Sequence, residues 1–267
     1  MRRSTILALS LLTASSGVPA LFAQAPPPPP KVDKTGVAGP KSNAEAAAVK
    51  AVFEAQLKTP DDQIAAVEAL LSKYADTVYK GFALELEAEA YQKKGDNNNT
   101  IVYAEQSLQA DPNNYDADNL LANVIASRSK DTDLTRDEDL KKADKYAHDA
   151  LTALDAGKPA IFARASDDAW AKTKAAATSQ AWQAIGIIAM DRKKYDEAIA
   201  DFQKGLDASP DTLLMIRMGR AYYTMRKYDD AIAMDQKVID SPDAPPQYKK
   251  IATDDKQRFI QTKSTAK

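Results

Sequence analysis

From about Asn43 onward the apolar residues recur at i, i+3, i+4 and i+7, the spacing of one helical face, and short polar turns interrupt them at close intervals. No window sustains the period-two alternation of a strand, and the chain holds only 9 glycines. This pattern predicts an all-α fold. Trp182, Ile185, Gly186 and Ala189 share one face of a predicted helix, and Tyr195, Ala198, Phe202 and Leu206 share one face of the next. The small residues Gly186 and Ala198 let the two helices approach closely, and the rings fill the space beside them. Pro210 falls where a further helix begins, a place that tolerates its missing N–H. Residues 194–199 (KYDEAI) return as 227–232 (KYDDAI), a period of 33 residues. A helix-turn-helix unit repeating at that period signals a stacked solenoid rather than a closed catalytic domain.

The spacing of Trp182, Gly186, Tyr195, Ala198, Phe202 and Pro210 resembles the tetratricopeptide repeat. Ile185, Ala189 and Gly205 depart from the family's usual Leu, Tyr and Ala. The next unit, 212–245, carries Gly219, Tyr222, Tyr228 and Ala231 at equivalent offsets. Met215 replaces its first aromatic, and Asp235 stands where the second-helix aromatic belongs. Upstream, 81–114 carries Leu84, Tyr91, Gly95, Leu108 and Pro112, with Thr100 and Ala104 in place of the usual Ala and aromatic. Residues 120–126 with Ala143, Ala147, Ala150 and Leu151 read as a unit enlarged at its inter-helix turn. An opening pair spans 44–58 and 61–74, with Thr59, Pro60 and Asp61 as its cap-and-start signal. Ser166 with Asp167 and Asp168 starts either one long helix running through Trp170 into Trp182, or two helices broken near Thr178 and Ser179. Asn97, Asn98 and Asn99 read as a turn by composition. A charged segment over about 244–262 reads as the polar capping helix such arrays need. The resemblance thus implies a right-handed superhelical solenoid over 43–262, about five antiparallel helix pairs closed by a C-terminal capping helix.

The ends of the chain carry different information. Arg2 and Arg3, the short apolar run 6–12 and the small residues up to Ala25 have the layout of a secretory signal peptide over 1–25. Cleavage after Ala25 fits the small-residue rule but leaves Pro26 next, so cuts after Ala20 or Ala23 are alternatives, and an uncleaved anchor is the competing reading. The apolar run is too short for a comfortable membrane span. Residues 26–42 read as a proline-rich linker that stands off the folded part. The chain has no cysteine, so thiolate chemistry, disulfides and lipoprotein acylation are excluded, and the expected location is periplasmic or secreted.

Charge narrows the partners. Lys and Arg number 36 against 38 Asp and Glu among 267 residues, interleaved as on a solvated helical surface. That gives no footprint for nucleic acid. No cofactor is implied. His148 is the only histidine; Asp144, one turn earlier, can reach it, but no nucleophile accompanies the pair. The acidic stretch 131–139 has oxygens at alternate places, as a calcium loop does. Arg136 occupies the position of the required glycine and Lys142 that of the bidentate glutamate, so a solvated turn is the better reading and no metal is expected.

In the tetratricopeptide family the first helix of each pair lines the concave surface. The resemblance places Gln180, Gln183, Ile187 and Met190 there in one unit, and Leu213, Ile216, Arg220 and Tyr223 in the next. Asn119 and Asn123 take such positions in the unit near 115. The apolar members would form either an open strip rimmed by Gln, Asn and Arg, or a strip covered by 166–178 or by the C-terminal segment. The expected function is non-catalytic binding of a protein or peptide in the groove. The alternative is a structural subunit of an envelope-assembly complex, acting through its convex face or the 129–139 loop.

Overall fold

Thr59 and Pro60 show how this chain starts its helices. The Thr59 side chain accepts from the Asp62 N–H at 3.2 Å while the Asp62 carboxylate accepts from the Thr59 N–H at 3.3 Å, a reciprocal capping box with proline in the first turn. Ser42, Asp96, Asn114, Ser166 and Asp211 cap other helices through side-chain oxygens. The computed structural model describes residues 39–130, 132–163 and 165–266. The signal peptide expected at 1–25, and the linker as far as residue 38, lie outside them.

Among the described residues there are eleven α-helices and no strand. They are α1 (Asn43–Ala55), α2 (Pro60–Lys73), α3 (Lys80–Lys93), α4 (Asn97–Ala110), α5 (Tyr115–Arg128) and α6 (Arg136–Ala156). After a single 3-10 turn at Ala160–Phe162 follow α7 (Asp167–Asp191), α8 (Tyr195–Ala208), α9 (Thr212–Thr224), α10 (Tyr228–Asp240) and α11 (Pro246–Thr265). Each helix packs on its successor, and α5 also lies beside α3 and α7. The result is five antiparallel pairs in a solenoid, closed by α11.

Three of the five bends between paired helices use one device. Gly95, Lys193 and Arg226 each sit at positive φ, 76°, 61° and 61°, in the left-handed conformation that ends a helix. Only the first is a glycine, for which that conformation carries no side-chain penalty. This geometry corrects the expectation for Asn97, Asn98 and Asn99, which form the first turn of α4. The chain has already turned at Gly95, and Asp96 takes the cap. Its carboxylate accepts from the Asn99 N–H at 3.1 Å and from the Asn99 side-chain amide at 2.7 Å.

The core runs along the array. Leu121 and Ile125 of α5, Leu140 of α6, Ile188 of α7, Phe202 of α8 and Leu214 and Met218 of α9 join one cluster. A second cluster binds α1, α2 and α3 through Val49, Val52, Val67 and Leu70. The long-helix alternative holds for α7, whose 25 residues run unbroken past Thr178. Its added turns, with those of α6, make a further cluster in which Trp170 meets Tyr115 at 5.9 Å and Phe162 at 5.5 Å between ring centroids.

Candidate binding face

The polar residues predicted for the groove hold one another across a seam. Asn119 on α5 donates its side-chain amide to the carbonyl of Ala177 on α7 at 3.0 Å. Asn123 donates to the carbonyls of Asn119 at 2.9 Å and Gln180 at 3.3 Å, and its own Oδ1 accepts from Gln183 at 3.0 Å. Asn119, Asn123, Gln180 and Gln183 thus form a ladder between two first helices. Asn119 is buried, whereas Asn123, Gln180 and Gln183 stay partly open. Side-chain amides suit this seam because each carries both donors and an acceptor.

The apolar positions do not form the open strip. Ile187 is 8% exposed and belongs to the main core, with Met190 packed half-buried against it. Ile216 is 1% exposed, in a cluster with Tyr248 and Ala252 of α11 and with Leu213 at its edge. Tyr223 stacks on Phe259 of α11 at 4.4 Å, and its hydroxyl lies 3.2 Å from that of Thr262. Arg220 donates to Asp255 of α11 at 2.7 Å, and Arg258 reaches the same carboxylate at 2.8 Å. The capping helix therefore occupies the side of α9 that a further repeat would otherwise cover. The physical reason is unspent apolar area: a terminal pair must bury its outer face on something.

Residues 179–212 match the family model of the tetratricopeptide repeat. This unit is a tetratricopeptide repeat. Among solved structures the array resembles TTC0263, a thermophilic tetratricopeptide-repeat protein of Thermus thermophilus, with a TM-score of 0.58 at 14% identity over 79% of this chain and 98% of that one. Two more matches have lower TM-scores. The MamA RS-1 ArsTM double mutant gives 0.46 at 14% identity over 73% of this chain and 93% of its own. The assembly chaperone of RpL4, Acl4, gives 0.42 at 11% identity over 82% and 96%. Identity this low carries the fold and nothing further. No curated protein matches the sequence.

The repeat register also brings out residues that sequence reading passed over. Glu85 and Glu89 hold in unit 81–114 the places that Gln183 and Ile187 hold in unit 179–212. Asp116, one turn before Asn119, holds the place of Gln180. Glu85 is 4% exposed, and burial, then the charges of Glu89 and Asp116, push its carboxyl well above the usual range. Burial followed by the charge of Glu89 raises Asp116 to about 7. These side chains had a legible signal, three acids that share the register of the predicted groove residues in adjacent units, which motifs along the chain do not reveal.

The remaining candidates are surface groups. His148 places Nδ1 2.8 Å from the Asp144 carbonyl oxygen and 3.5 Å from its carboxylate, which also takes Arg192 at 3.2 Å. In the enlarged turn Asp133 accepts from the Lys130 N–H at 2.9 Å, and Asp139 from the Thr135 hydroxyl at 3.0 Å. Among the described residues no three acidic or histidine side chains gather closely enough to hold a metal ion. No described helix is long and apolar enough to cross a membrane.

Proposed function

We propose that the protein is a non-catalytic scaffold that binds a protein or peptide along the concave face of its first helices, in the periplasm or outside the cell. The observation that carries this reading is the seam of α5 and α7, where Asn123, Gln180 and Gln183, in the family's ligand-facing register, are polar, part-open and held in place by one another. A rigid, concave polar face suits an extended segment, which supplies its own backbone donors and acceptors. The location rests on Arg2, Arg3, the apolar run 6–12 and the small residues that follow.

A second reading has one observation of its own. Leu134 stands fully exposed at the tip of the enlarged α5–α6 turn, where it gains nothing from the fold. It suits a structural subunit of an envelope assembly that docks through that turn.

A photo-crosslinking residue placed at Gln180, at Gln203 on the opposite side of the pair, or at Leu134 separates the two in intact cells. Capture of a defined partner from Gln180 and not from Gln203 is expected. Capture from Leu134 alone moves the function to the assembly reading. If neither Gln180 nor Leu134 captures anything, both are overturned.

A further inference from the structure

Between α3 and α5 the array gathers more negative charge than it neutralises. Glu85 is almost wholly enclosed, and the charges it feels are two acids, Glu89 and Asp116, and one cation, Lys93. Glu89 pairs with Lys93 at 3.6 Å, but the Lys93 ammonium also donates to Gln63 of α2 at 3.3 Å, away from the seam. Asp116 lies within electrostatic reach of both glutamates. Beside them the Tyr115 hydroxyl is buried without a hydrogen-bond partner in a residue 2% exposed, and it feels the charges of Asp116 and Glu85. Asn119 Oδ1, one turn further along the same face, is likewise buried and unpartnered.

Three carboxylates and an amide oxygen share one ammonium and one phenol O–H, so acceptors outnumber donors. Buried polar groups are ordinarily paired, and unpaired buried carboxylates are costly. What the seam lacks is a positively charged group rich in N–H donors. A metal ion does not meet the geometry, because the acids do not converge closely enough. An ammonium or guanidinium on a long stem does, since it presents several donors spread over a wider span.

We propose that the seam between α3 and α5 receives a lysine or arginine side chain of a bound peptide, held by Glu85, Glu89 and Asp116 with Tyr115 and Asn119 completing its contacts. The proposal rests on concave-face binding and adds the chemistry of the partner. The raised carboxyls of Glu85 and Asp116 agree with it: an opposite charge at the seam restores their ionised forms.

Fluorescence anisotropy on the full chain tests it, with a labelled serine-glycine peptide carrying lysines, a twin carrying glutamates in their place, and spermidine as competitor. The lysine peptide binds and its twin does not. Glu85→Gln and Asp116→Asn each weaken binding by about tenfold or more. Both variants melt no lower than the parent, because each removes a buried, poorly paired charge, so lost binding is not lost folding. Equal binding of the twin, or unchanged binding by both variants, overturns the proposal. So does spermidine binding where neither peptide binds, which makes the site one for free polyamines. A partner crosslinked at Gln180 whose capture survives Glu85→Gln leaves the groove reading standing and removes only this one.

Discussion

Units 179–212 and 212–245 share a turn, a period and a glycine on the first helix, yet they solve the packing of that glycine in opposite ways. In the first, the fully buried ring of Phe202 lies so close over Gly186 that an added Cβ would come within 2.3 Å of it. In the second, the equivalent residue is Asp235, 1% exposed, with both carboxylate oxygens buried and unpartnered. A Cβ on Gly219 would stand 3.2 Å from one of them. The large ring at this end of the array comes instead from the cap, where Phe259 is fully buried and stacks on Tyr223. The interior unit is thus closed within itself, whereas the terminal unit depends on α11. Arg220, Arg258 and Lys256, the cations around Asp235, only partly offset its burial and the repulsion of Asp255, and its carboxyl is raised to about 7.

Truncation breaks this comparison most sharply. Phe202→Ala removes the ring that fills the first unit and should cost about 3–5 kcal/mol in urea unfolding. Asp235→Ala should cost under about 1 kcal/mol near neutral pH, since it also removes an unpaired buried carboxyl. Equal losses at the two sites would mean that the units are not packed differently after all. The glycines give a smaller contrast. Gly186→Ala forces a rigid ring aside and should destabilise by about 1–3 kcal/mol, whereas Gly219→Ala, facing a side chain that can shift, should be near neutral. Calorimetric midpoints of the two variants read this directly.

The third prediction concerns pH. A carboxyl raised in the fold above its unfolded value of about 3.9 favours the folded state when protonated. Its contribution is complete below about pH 4 and is lost as the pH rises through about 7. Asp235→Asn should therefore be more stable than the parent at pH 8, by about 1–3 kcal/mol, with the gain vanishing at pH 4. A variant whose advantage is the same at both pH values would show that Asp235 does not titrate in the fold.

Much of the fold was legible because its signals are local. Thr59, Ser166 and the positions around Trp182 and Phe202 speak through caps and helical spacing, and the structure places helices where they indicate. Asn97, Asn98 and Asn99 misled because composition marks a turn without saying which residue bends, and here Gly95 does. Ile187 and Ile216 were ambiguous for a different reason. A face position on a first helix is open or buried according to its neighbour, and the neighbour of α9 is a helix starting 30 residues after Ile216, at Pro246. The acids at the α3–α5 seam escaped notice because Glu85 and Asp116 meet only when two units are stacked. Alone, each is an ordinary charge on an ordinary helix.

The lengthened α6 and α7 have a consequence for how the molecule comes apart. In a stack where each unit touches only its neighbours, opening starts at the ends and works inward one unit at a time. Here Trp170, Tyr115, Phe162, Leu154 and Ala150 tie the added turns to α5, so the central pairs share contacts that a regular repeat does not have. Fraying from either terminus must break those contacts together rather than in sequence. The irregular middle is then the part that holds longest when the ends let go.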